Sequence, residues 1–177
     1  FLLPMNLQTT QHQRVEFRRI LGPLVQEEGL YISGIEFSSD HSGPIVRVYI
    51  DGPNGAGIEH CAKLTRESTP ILDVESPING AYTLEISSPG MDRILELPSD
   101  FKRFQDFNVS VRLPHRRSKI NGLLISSDAA GFDIQTDVEN RRFDYSEVSS
   151  VRLKVEPEDF DRLKNTPFIT PTSSQEE

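Results

Sequence analysis

The chain has no tryptophan, two methionines and a single cysteine among 177 residues. One cysteine excludes an internal disulfide, so the fold must rest on its core alone. Cys61 sits beside Ala62 and Leu64 in a helical pattern, which suits packing in a reducing compartment, and the cytoplasm is the expected location. No run approaches the roughly 18 apolar residues that cross a bilayer, so no membrane association is expected. Phe1-Leu-Leu-Pro-Met5 is too short for a signal sequence and has no basic residue ahead of it; Met5 is a candidate start, with residues 1–4 an extension. Positive charge is also scarce, with 19 Lys and Arg against 27 Asp and Glu, a formal net charge of −8. Overall attraction to a polyanion is thereby excluded, but a local one is not. Residues 1–98 carry a net −6, residues 99–154 a net +2 and residues 155–177 a net −4. A mildly basic module lies between two acidic ones.

What remains is the composition of a globular protein, 36% hydrophobic and 26% charged. From Gln13 to Glu28 the residues Val15, Phe17, Ile20, Leu21, Leu24 and Val25 recur at three- and four-residue steps, an amphipathic helix stopped by Gly29, with Pro23 bending or tightening its last turn. Residues 30–38 read as a strand with a bulge near Gly34, paired through a polar turn with residues 45–50. After a Gly-rich loop, Ile58 to about Asp73 reads as a second helix whose final turn Pro70 disrupts. Tyr82 to Ser87 then alternates as a third strand. Helix, strand, strand, helix, strand predicts a compact α/β unit with three strands, its helices on one face. Pro98-Ser-Asp100 offers an amino-terminal cap for a short helix, Ser99 or Asp100 accepting from its first amides, and reads as the domain junction.

Beyond it the pattern is strands only, at residues 108–113, 119–125, 131–136, 141–145 and 148–155, at about ten-residue spacing. Such spacing suggests a small barrel. The expected division is a flexible amino terminus at 1–12, an α/β domain at 13–98, a barrel domain at 99–155 and an acidic, largely disordered tail at 156–177.

Few residues suggest chemistry. Gly52-Pro-Asn-Gly-Ala-Gly57 lies between a strand and a helix, where phosphate-binding loops occur, but no Gly-Lys-Ser/Thr follows and His60 stands where a dinucleotide fingerprint has Gly or Ala. His12, His41, His60 and His115 lack metal-ligand spacing. Ser87 and Ser88 lie outside any Gly-x-Ser-x-Gly elbow. No catalytic residue, cofactor or metal is expected. The one dense positive feature is Arg112-Leu-Pro-His-Arg-Arg-Ser-Lys119, with Arg141 and Arg142 in a later strand. It reads either as a solvated hairpin or as the phosphate-contacting edge of a barrel, with Phe132, Phe143 and Tyr145 as stacking partners or as core.

The most distinctive segment is Tyr82-Thr-Leu-Glu-Ile-Ser-Ser-Pro-Gly-Met-Asp-Arg93. Together with Val46-Arg-Val-Tyr-Ile-Asp51, Cys61-Ala62, Arg66-Glu67 and Leu72-Asp-Val-Glu75 it resembles the bacterial ribosome maturation factor RimP family. The resemblance implies an α+β protein with a KH-like α/β domain followed by an SH3-like or Sm-like barrel. It also implies a non-enzymatic, monomeric factor that binds the immature small (30S) ribosomal subunit and a small-subunit ribosomal protein near the decoding centre. No Gly-x-x-Gly clamp joins two consecutive helices, as it does in RNA-binding KH domains. Ser87, Ser88, Pro89, Gly90, Asp92 and Arg93 then stand as partner contacts or as a strand end, a turn and an inter-domain ion pair. Arg112, Arg116, Arg117, Lys119, Arg141 and Arg142 stand as the basic contacts. The alternative is a general single-stranded RNA chaperone acting through the barrel, and a third reading is an enzyme using the Gly52–Gly57 loop.

Overall fold

The computed structural model describes residues 7–75, 77–114 and 116–167; the expectations for residues 1–6, His115 and residues 168–177 lie outside them. The chain forms two compact units that divide at Pro89 and Gly90. It is an α+β protein with a three-stranded sheet in the first unit and a six-stranded antiparallel sheet in the second.

In the first unit, helix α1 (Leu7–Glu27) buries Phe17, Ile20, Leu21 and Val25 along one stripe. Each such side chain withdrawn from water contributes roughly 2 kcal/mol. The helix already includes residues 7–12, which composition assigned to a flexible terminus, because the run from Leu7 to His12 holds no glycine or proline to stop it. It ends at Gly29, whose φ of 70° only glycine adopts without cost. The amide of Gly29 donates to the Gln26 carbonyl at 2.9 Å and that of Leu30 to Val25 at 3.1 Å, closing a Schellman motif.

Strands β1 (Tyr31–Asp40) and β2 (Gly43–Asp51) form an antiparallel hairpin whose register slips between Ile32 and Gly34. Ser33 is the bulged residue; it is buried, and its hydroxyl donates to the Tyr49 carbonyl at 3.3 Å. Helix α2 (Ile58–Glu75) crosses back so that β3 (Thr83–Ser87) pairs with β2 in parallel. Pro70 does not end α2, which runs on to Glu75, because Leu64, Ser68 and Leu72 on either side of it are buried. Packing outweighs the lost hydrogen bond here. Ile32, Ile35, Val46, Val48 and Ile50 meet the buried residues of both helices in one core.

In the second unit β4 (Ile94–Leu95) precedes helix α3 (Pro98–Arg103), and β5 (Asn108–Arg112), β6 (Ile120–Ser127), β7 (Gly131–Gln135) and β8 (Asn140–Asp144) form a meander. After a 3-10 turn at Tyr145–Glu147, β9 (Ser150–Leu153) returns between β4 and β5, giving the order β4-β9-β5-β6-β7-β8. The junction expected at 98/99 therefore moves upstream. Ile94 and Leu95 pair with Arg152 and Val151, and Leu95 and Phe101 belong to the same core as Phe104, Phe107, Phe132 and Phe143. The sequence feature read as the domain junction is the start of α3, where the buried Asp100 carboxylate accepts from the amides of Leu97 at 3.0 Å and Glu96 at 3.1 Å.

The expected disorder after Val155 does not hold over residues 156–167. A 3-10 turn (Pro157–Asp159) and helix α4 (Phe160–Asn165) follow. Leu163 packs on the second core and the Arg162 guanidinium lies 3.9 Å from the centre of the Phe107 ring, which anchors a segment too polar to be recognised from composition.

Candidate partner and nucleic-acid interface

The distinctive Ser87–Arg93 segment is split by the structure into unlike parts. Ser87 closes β3 opposite Tyr49, and its hydroxyl donates to the Ser88 carbonyl at 3.2 Å. Ser88 is exposed, Pro89 is half-buried, and Gly90 has a φ of 66°, the left-handed value that the turn requires of it. Met91, half-exposed, and Asp92 present their side chains to solvent. Arg93 does not: it is 7% exposed, its guanidinium lies 5.1 Å from the Phe104 ring centre, and its carbonyl accepts from the Leu153 amide at 2.9 Å. It works inside the second unit, beside Asp100. Burial pushes the Asp100 carboxyl up to about 6, against the opposing pull of the Leu97 and Glu96 amides and of Arg93.

Ser87 donates its hydroxyl to a backbone carbonyl and not to a base. The nearby Cys61 thiol is raised by burial, which makes it less reactive rather than more. Three amides of the Gly52–Gly57 loop are used internally. Gly52 donates to Asp51 Oδ1 at 2.9 Å, Gly55 to the Gly52 carbonyl at 3.0 Å and Gly57 to His60 Nδ1 at 3.2 Å. A phosphate cradle needs those amides pointing outward.

The basic residues also separate. Arg112 ends β5, and Arg116, Arg117 and Lys119 are exposed in the turn to β6. Arg141 and Arg142 lie on β8, with β6 and β7 between them and β5, roughly 14 Å away along the sheet. The Arg141 guanidinium lies 4.9 Å from the Phe143 ring centre. Arg142 is held by Asp128, at 2.7 and 2.8 Å, and by Asp133 at 2.9 Å. Its charge is committed within the unit. Phe132 and Phe143 are buried and stacked, with ring centres 5.5 Å apart, and Tyr145 donates its hydroxyl to the Asp128 carbonyl at 3.1 Å. Of the two readings open for these rings, core is the one the structure supports.

Sequence reasoning missed two cations that the fold brings to Arg112. Strand β9 pairs with β5, placing Arg152 opposite Ser110 and Ser150 opposite Arg112, while the Lys154 amide donates to the Asn108 carbonyl at 2.8 Å. The signal was the alternation in Asn108-Val-Ser-Val-Arg112 and Ser150-Val-Arg-Leu-Lys154, whose apolar members are buried.

Residues 20–92 match the family model described as the RimP N-terminal domain. The first unit thus carries the RimP N-terminal domain. The match spans α1 from Ile20, both strands of the hairpin, α2, β3 and the turn through Asp92, so it contains most of the distinctive segment. RimP proteins are ribosome maturation factors, which makes ribosome-related components the expected partners. Among the described residues no helix is long and apolar enough to cross a membrane.

Proposed function

We propose that the chain acts in late maturation of the small (30S) ribosomal subunit, in the cytoplasm, by binding the immature particle as a monomer and without catalysing a reaction. The match of residues 20–92 to the RimP N-terminal domain carries this reading. The first unit reads as KH-like, supported by its α1-β1-β2-α2-β3 order with an antiparallel and then a parallel pairing. The second reads as an SH3-like or Sm-like barrel, supported by the four-strand meander and the return of β9 beside β5. A small-subunit ribosomal protein near the decoding centre is the protein partner, with Ser87, Ser88, Pro89, Gly90 and Asp92 as its candidate contacts. Arg112, Arg116, Arg117 and Lys119 are the candidate RNA contacts.

Sedimentation of a lysate tests the reading. The chain should travel with free small subunits and be scarce on translating ribosomes, and absence from the small-subunit fraction contradicts it. A single-stranded RNA chaperone is less favoured, because base stacking needs exposed rings and Phe132 and Phe143 are buried. An enzyme using the Gly52–Gly57 loop is less favoured because the amides of all three glycines already have acceptors.

A further inference from the structure

Strands β9, β5 and β6 have a buried side and an outward one. Val109, Val111, Leu124, Val151 and Leu153 fill the core. The alternating positions on β5 and β9 are Asn108, Ser110 and Arg112, and Ser150 and Arg152, with Lys154 directly after. Register sets them in rows: Arg152, Ser110 and Asn121 form one, and Lys154, Asn108 and Leu123 the next. No outward position of β5 or β9 carries a carboxylate. The same side opens into a groove of about 490 Å³ lined by Asn108, Asn121, Gln135, Lys154 and the acidic Asp137. Lys154 meets Glu156 at 3.4 Å, an exposed pair that holds the lysine weakly. Arg152 donates to the Asp92 carbonyl at 3.1 Å.

The chemistry of this face selects its occupant. Cations spaced by hydroxyls and carboxamides suit phosphates and 2′-hydroxyls together. Protein partners anchor through a buried aromatic or aliphatic cluster, and the rows here offer only Leu123. Single strands are held by stacking bases on exposed rings, and no ring stands among these positions. An A-form helix is read instead through its backbone and 2′-hydroxyls. We propose that the outward face of β9, β5 and β6 binds the sugar–phosphate backbone of helical RNA, with Arg112 and Lys154 on phosphates and Asn108, Ser110 and Asn121 on 2′-hydroxyls. The inference deepens the small-subunit reading and rests on it.

The test is the affinity of the full chain for a short RNA hairpin and for a single strand of the same length, by fluorescence anisotropy across salt from about 50 to 200 mM. The expected result is preference for the hairpin with a steep salt dependence. Arg112→Glu with Lys154→Glu should weaken hairpin binding at least tenfold and lower the log–log salt slope by about two. Arg66→Glu with Lys102→Glu, an equal change of charge at exposed helical positions, should stay within about twofold. Thermal melting checks both folds; if the first pair melts early, Arg112→Gln with Lys154→Gln replaces it. Equal losses in both pairs, or a single strand bound as tightly as the hairpin, overturns the proposal. So does loss of small-subunit binding with hairpin affinity intact, which assigns the face to a protein. A chain that sediments with small subunits yet ignores the hairpin leaves the subunit reading standing and removes this face alone.

Discussion

Arg142 on β8 grips Asp128, in the turn between β6 and β7, with both contacts under 3 Å, at 2.7 and 2.8 Å. The same guanidinium reaches Asp133 on β7, so a cation that looks available in sequence is the staple of its own meander. Neutralised charge attracts little phosphate. Arg142→Gln should therefore change small-subunit affinity by less than about twofold, whereas reversal of Arg116, Arg117 and Lys119 to Glu should weaken it at least tenfold. Binding of purified chain to isolated subunits measures both, and a larger loss from Arg142→Gln would return β8 to the interface.

Asp100 predicts a particular pH dependence. Its carboxyl is raised from 3.8 to about 6 in the folded chain, so the folded state holds its proton more tightly than the unfolded one. The stabilisation from that proton is complete below about 4 and is lost as pH rises through about 6, a change on the order of 3 kcal/mol. Asp100→Asn keeps an oxygen to accept the Glu96 and Leu97 amides and removes the proton. Its melting temperature, compared with wild type from pH 4 to 7, should lose this component, and identical pH profiles would show that Asp100 does not titrate there. Asp100→Ala should cost about 1–2 kcal/mol near pH 7, since it abandons both amides, and more at pH 4, where wild type also gains from the bound proton.

Helix α1 shields the outer side of β1. Arg18 donates to the Ile32 carbonyl at 2.7 Å and Arg14 to the Ile35 carbonyl at 3.1 Å, occupying acceptors on a strand that ends its sheet. Exposed strand edges invite pairing between molecules. Arg18→Ala should lower urea-unfolding stability by about 1–2 kcal/mol and promote self-association visible by analytical sedimentation. A monomer of unchanged stability would deny the arginine this role.

Helix α4 should behave as part of the second unit. Leu163→Ala removes a half-buried contact on that core and should cost about 1–2 kcal/mol, read from the melting of the full chain. A mobile tail would show no change.

The legible parts of this fold are the local ones. Phe17, Leu21 and Val25 announce α1, Gly29 its end, and the alternation around Val46 and Val48 the hairpin, because period and capping act within a few residues. Ile94 and Leu95 were opaque because their partners, Arg152 and Val151, lie more than fifty residues away, while Pro98 and Asp100 nearby carry the signature of a boundary. The acidic, proline-bearing run after Val155 hides α4, which two tertiary contacts of Arg162 and Leu163 hold in place. In the candidate interface the turn from Arg112 to Lys119 was readable as charge density. The burial of Arg93 over Phe104, the capture of Arg142 and the convergence of Arg152 on Arg112 depend on pairing that no local pattern encodes.

The central claim is recognition of an immature small subunit, and a direct measurement is equilibrium binding of the purified chain to immature small subunits, mature small subunits and large subunits under one salt condition. Tightest binding is expected to the immature small subunit and none to the large one. Equal affinity for all three particles, or binding confined to the large subunit, would contradict it.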